Sequence, residues 1–389
     1  LNVLNRNHCI QTANYHFGIL SGPMKVVSSP VSMYADRLSN KTWLNIIKTP
    51  NEKMKDFSRG KETDECYIEA SHFTFANTFS RQAKKEPLRF AKLSLSFPKE
   101  CYSGYICGVL NALTEYSNEG CIIDMRLVVE VIRYYRHTSS HSVGIAITNL
   151  IEKYADQEWP QDIFDILSGF ALEFSDPEYN LYESRNKNES YNYSPQDLYN
   201  ASISNVNGCA LWAIAALISE HPELESKFKP IIISVSENSH DLVRMAVMQS
   251  VLVYYNIDSD FSVRIFKKII SEDSRILGIP ATWNILSREY PYNSDFYREK
   301  IITACKSNFE ELANEAAKQS CAIAIYFNDT QMQNFVMEYQ YTMEQVNKVC
   351  RQAISSFNKE EFHNLSEKII VHFIDKFIDE INELRWIFS

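Results

Sequence analysis

The sequence predicts an all-α chain, a stack of helical hairpins forming an α-solenoid of right-handed superhelical sense, on three observations. Glycine and proline are scarce, at 10 and 12 of 389 residues, whereas sheet-rich folds use glycine at their many tight turns. Apolar residues recur at helical spacing, as in Leu365, Ile369, Phe373, Phe377, Ile381 and Leu384. One pattern also returns every 34 to 37 residues along the second half of the chain.

The repeat is legible in four segments: NVNGCALWAIAALISEHPE, HDLVRMAVMQSVLVYYNID, RILGIPATWNILSREYPYN and EELANEAAKQSCAIAIYFND. Alignment brings Cys209, Ala246, Pro280 and Ala316 into register, with steps of 37, 34 and 36 residues. A small residue or a proline there precedes an apolar helix, and small side chains let the next helix approach closely. Short acidic turns follow (HPELES, NIDSD, FNDTQ), and then a second helix. Helix, turn, helix at this period marks the HEAT and armadillo class, because no single hairpin buries its own apolar face. The Trp, Leu-Gly and Tyr offsets of tetratricopeptide repeats are absent, so the reading is HEAT-like. Asp241 with Val243 and Arg244 sits where an Asp–Arg ladder between neighbouring repeats is expected.

The regular array is expected over residues 140–330, beginning with SSHSVGIAITNLIEKYAD around Ala146. An insertion at about 176–200 interrupts it, a polar stretch with Pro177 and Pro195 at its ends. Its tyrosines, Tyr179, Tyr182, Tyr191 and Tyr193, read either as contact residues, since tyrosine is enriched at interfaces, or as part of a solvated loop. Residues 31–139 read as an irregular helical region and 331–389 as capping helices, since the last repeats of a stack must close an exposed core. Residues 1–30 read as an irregular segment, and the absence of an initial Met reads as the start of a fragment.

Hydrophobic residues at 45% and charged residues at 23% describe a folded chain rather than a disordered one. The net charge of −10 disfavours wholesale nucleic-acid binding, which needs a basic surface. No apolar run reaches the length of a membrane span, and the first residues carry no signal pattern. The nine cysteines form no CxxC pair, and several lie on apolar helical stripes, which reads as reduced thiols in a cytoplasmic protein.

Catalytic motifs are lacking. Ser58-Arg59-Gly60-Lys61-Glu62-Thr63 lacks the first glycine of a Walker A loop and puts Glu62 where the Mg²⁺-binding hydroxyl belongs. His137 and His141 have the spacing of a zinc pair on one helix turn, but the Thr-Ser-Ser between them reads as a helix start capped by serine. Arg59, Lys61, Arg81, Lys84, Lys85, Arg89 and Lys92, with Phe73, Phe75, Phe79 and Phe90 among them, form a basic, aromatic-spaced stretch. It reads as a surface for phosphate or an acidic peptide, or as a solvated helix face with the phenylalanines in the core. The candidate partner-binding residues are therefore Tyr182, Tyr191, Tyr193, Arg81, Lys84 and Lys85. No catalytic residue, cofactor or metal is expected.

The stretch from DLYNASISNVNG to FSVRIFKKII carries Asn205, Val206 and Gly208, then Asp241, Val243 and Arg244, then Asp258 and Phe266. In this it resembles the helical C-terminal part of large bacterial STAND-type nucleotide-binding proteins, a class that includes antiviral defence ATPases. The resemblance spans about residues 30–330. It implies a non-catalytic sensor or recognition arm that binds a foreign (phage) protein or the rest of its own parent chain, with ATPase and effector N-terminal to it. Homo-oligomerisation would then run through that parent chain. A free-standing adaptor that organises a protein assembly is the alternative, and a nucleic-acid binder using the Arg59–Lys92 face is a weaker one.

Overall fold

The computed structural model describes residues 26–54, 66–116, 123–174, 193–238 and 240–377. The chain divides into two compact units, residues 1–82 with 97–105, and residues 83–96 with 106–389. The expected all-helical character holds in both. The departure from it among the described residues is a parallel pairing of β1 (Val26–Ser28) with β2 (Cys66–Ile68), Val26 opposite Cys66.

In the first unit, α1 (Asn40–Lys48) starts at Ser39, whose side chain accepts from the Thr42 amide at 3.1 Å. Trp43 and Ile47, one turn apart, are its buried residues. The short α2 (Asn51–Met54) follows, and then α3 (His72–Lys85), which runs on into the second unit. Trp43 meets Phe79 edge to face at 5.2 Å, and Phe79 meets Phe97 and Tyr105 at 5.9 and 5.6 Å. These aromatic pairs are the core of the unit. His72 is tied down within it, Nε2 donating to the Thr49 carbonyl at 2.9 Å and Nδ1 lying 3.0 Å from the Tyr105 hydroxyl.

The second unit continues with α4 (Pro87–Ser94), the later turns of α5 (Ser103–Tyr116), α6 (Met125–Tyr135), α7 (His141–Lys153) and α8 (Gln161–Glu173). Then come α9 (Pro195–Ser202), α10 (Val206–Glu220), α11 (Glu225–Asn238), α12 (Asp241–Tyr254) and α13 (Ser259–Glu272). The last are α14 (Trp283–Glu289), α15 (Ser294–Cys305), α16 (Glu310–Tyr326), α17 (Thr330–Glu338), α18 (Met343–Phe357) and α19 (His363–Lys376). Packing is repeat-like. α10 lies against α7, α8 and α12, and α12 against α11 and α13. Further on, α16 lies against α15, α17 and α18, and α18 against α19. The small residues explain the closeness: Cys209, Ala210 and Ala213 on α10, and Ala313, Ala316 and Ala317 on α16, are all buried.

The third aligned segment departs from expectation. In place of a long helix, residues 274–282 form two 3₁₀ turns, Ser274–Gly278 and Pro280–Thr282, and α14 has only seven residues. Pro280 has no amide hydrogen and restricts the residue before it, which disfavours an α-helix through this position. The gap is filled by α9, which packs against α12, the Ser274–Gly278 turn and α16. The end of the expected polar insertion is thus a helix with one buried side. Ser194 and Asp197 form its capping box, Pro195 sits in its first turn, and Leu198 is fully buried.

At the far end, α18 and α19 form a further packed pair, with Ile369 and Phe373 of the predicted stripe buried. Ile381 and Leu384 lie outside the described residues. Cys209, Cys305, Cys321 and Cys350 are buried free thiols, and burial pushes Cys305 and Cys350 up to about 12. Among the described residues no single helix is long and apolar enough to cross a membrane.

Candidate recognition surface

The residues singled out from sequence are scattered. Tyr182 and Tyr191, like Arg59 and Lys61, lie outside the described residues. Tyr193 is only 7% exposed and enters the α9 contact described below rather than a solvent-facing surface. Arg81 is exposed on α3, its Nε donating to Asn77 O at 3.4 Å. Lys84 pairs with Glu115 at 2.6 Å, and Lys85 is exposed in the last turn of α3, where cations suit the helix dipole. Arg89 pairs with Glu86 at 2.8 Å and lies over the Phe90 ring. Phe75, Phe79 and Phe90 are buried core residues, while Phe73 is 60% exposed. Ser140 stands at the N-cap position of α7, directly before His141, but its side chain makes no capping hydrogen bond, and His137 accepts from Arg136 Nε at 2.9 Å. No three His, Cys, Asp or Glu side chains among the described residues are grouped to hold a metal.

A more connected arrangement surrounds α9. Asp241 pairs with Arg244 on the same helix and with Arg275 Nη2 at 2.8 Å. Arg244 reaches Glu272 at 2.8 Å, and Arg275 reaches Asp273 at 2.7 Å. Of the expected Asp–Arg ladder, Asp241 and Arg244 pair within one helix, and the link to the next aligned segment is Asp241 to Arg275. Arg275 Nη1 also donates to Tyr193 O at 3.5 Å, just before α9. Pro195 lies so close to Gly278 that a β-carbon there would meet its ring at 2.5 Å. The Gln196 amide donates to Glu311 Oε2 at 3.2 Å. Arg275, Gly278 and Glu311 each hold one point on the start of α9.

Sequence reading missed a second set of residues, polar side chains that donate to backbone carbonyls of a preceding element. Asn207 Nδ2 donates to Ala171 O at 3.2 Å, and Gln319 Nε2 to Leu277 O at 3.1 Å. Gln345 Nε2 donates to Cys305 O at 2.9 Å and to Ala313 O at 3.3 Å. Tyr135 and Tyr154 do the same with Ser94 O and Leu113 O, at 2.6 and 2.8 Å. Their signal was a polar residue inside an apolar helical run. Gln345 is 3% exposed, and its Oε1 also accepts from the Thr342 amide in a capping box. Gln345→Ala is expected to cost about 2 kcal/mol, because two buried carbonyls lose a donor. Gln345→Glu keeps the capping acceptor but not the donor, and should fare no better. A denaturant midpoint for the Glu variant equal to the parent's would show that the carbonyl bonds contribute little.

Arg298 Nη2 and the Tyr290 hydroxyl both donate to Asp329 Oδ2 at 2.7 Å, and the Met332 amide donates to Oδ1 at 2.9 Å. Burial pushes the Asp329 carboxyl up, but these donors outweigh it and hold it below the ordinary carboxylate range. A depressed folded pKa contributes stability that is fully present above about pH 4 and lost as pH falls through the folded value. The unfolding midpoint should therefore drop on acidification below about pH 4, and Asp329→Asn should flatten part of that drop while lowering the midpoint at pH 7. Superimposable slopes for parent and variant between about pH 5 and 2 would refute the assignment.

Compared with family models, with curated proteins and with solved structures, the chain matches none.

Proposed function

We propose that the second unit is an α-solenoid of HEAT-like repeats serving as a non-catalytic recognition arm, with a protein as its partner. The observation that carries the reading is the repetition itself. The helix pair beginning at Val206 packs against the pair beginning at Asp241, and the pair beginning at Glu310 against the pair beginning at Met343. Neighbouring elements are also bonded across 36 to 42 residues, as in Asn207 to Ala171, Gln319 to Leu277 and Gln345 to Cys305. Such stacks offer long, continuous surfaces suited to another macromolecule. The resemblance to STAND-type proteins supports a cytoplasmic parent chain in which an NTPase and an effector precede this arm, in an antiphage role.

The test is a selection of bound fragments from a displayed library of phage proteins, followed by hydrogen-exchange footprinting. Protection confined to helices of the second unit is the expected result. Footprints that avoid these helices, or no enriched fragment, would overturn the reading. A gene lacking any P-loop domain upstream would remove the parent-chain part alone.

A further inference from the structure

The segment that fills the interrupted repeat is held by a groove with distinct requirements at each point. α9 is an eight-residue helix whose buried residues are Pro195, Leu198 and Ser202. It is a separate element, bent by 78° from α10. The groove around it is made by α12, the Ser274–Gly278 turn and α16. Gly278 leaves room for a proline ring that any β-carbon would displace. Arg275 takes the carbonyl two residues before that proline, and Glu311 takes the amide just after it. Leu198, three residues past the proline, is fully buried. These contacts on the start of the helix come from residues remote in sequence, while its end is held by the adjoining Asn205, whose Nδ2 donates to Ala201 O and Ser202 O at 2.9 and 3.2 Å.

We propose that this groove is a peptide-binding surface occupied in cis by α9, and that its external partner is a protein segment beginning a short helix with proline and burying a leucine three residues on. This rests on the recognition reading above and names the kind of partner it would take. A tethered ligand of this sort competes at an effective concentration of about millimolar. The surface is thereby masked until a partner displaces α9.

A fluorescein-labelled peptide with the sequence of residues 193–204 serves as the probe, titrated by anisotropy into the whole chain and into Leu198→Glu. The variant expels α9, so the peptide should bind it at least about tenfold more tightly than the unchanged chain. A peptide carrying the same Leu-to-Glu change should not bind. Equal affinity for both chains, or none for either, would overturn the proposal. If Leu198→Glu loses cooperative unfolding, hydrogen exchange on the unchanged chain decides. Amides of Leu198–Ser202 exchanging at least about tenfold faster than those of Leu211–Leu217 support a displaceable α9, since locally opening elements exchange ahead of the global core; equal rates refute it. Peptide binding without any selected phage fragment keeps the groove and removes the recognition reading, while the converse removes the groove alone.

Discussion

Gly208→Ala should lower the unfolding midpoint by roughly 4–6 °C, the equivalent of about 3 kcal/mol. Gly208 lies in the first turn of α10, where its amide donates to Asn205 Oδ1 at 2.6 Å. A β-carbon there would run into the Ser202 carbonyl oxygen and stand 2.8 Å from its carbon. Both are backbone atoms, so no rotamer change relieves the clash. Relief requires the end of α9 to move, and α9 is braced by α12, the Ser274–Gly278 turn and α16. Gly169, inside α8, is the control, because a β-carbon added there would have no atom within 4 Å. Gly169→Ala should instead stabilise by about 0.5–1 kcal/mol, because alanine loses less backbone entropy in a helix. Thermal unfolding of the two variants is the measurement. A Gly208→Ala midpoint equal to that of Gly169→Ala would show that the α9–α10 joint is not the close contact described.

The second large effect is at Arg275. Arg275→Met removes the cation from a nearly buried pair, with Arg275 13% and Asp273 9% exposed. Exchanging both members of such a pair for apolar residues is often close to neutral, whereas breaking it strands a charge and costs about 3–5 kcal/mol when fully buried. Asp241 keeps Arg244, so the cost falls mainly on Asp273, and about 3 kcal/mol is expected. Arg275→Met with Asp273→Asn should recover more than half of it. Chemical denaturation of parent, single and double variants gives the comparison. A double variant no more stable than Arg275→Met would mean that the loss comes from the Tyr193 and Phe309 contacts of Arg275 rather than from a stranded carboxylate.

Legibility followed the range of the interactions. Asn205 and Gly208 do stand at the start of a helix, as the element they belong to indicated, with Asn205 as its N-cap, while Asp241 and Arg244 pair within one helix and the link to the next repeat falls to Arg275. Gln319 and Gln345 were not readable, because their partners lie 42 and 40 residues away and a carbonyl carries no residue-type signal. The basic stretch was legible in part. Its phenylalanines at helical spacing mark a core, but spacing says nothing of Glu115 or Glu86 waiting beside Lys84 and Arg89.

By itself the sequence determined that this chain is helical, where its helix pairs recur, and which small residues let them meet. Helical periodicity and glycine content act within one turn of the chain, so they are written locally. Only the tertiary structure decided what happens at the third repeat. Pro280 disfavours a continuous helix there, but does not say what occupies the space left behind. The occupant comes from some 80 residues earlier, because close packing requires the gap to be filled and α9 is the element whose proline, carbonyl and leucine fit Gly278, Arg275 and the groove between α12 and α16.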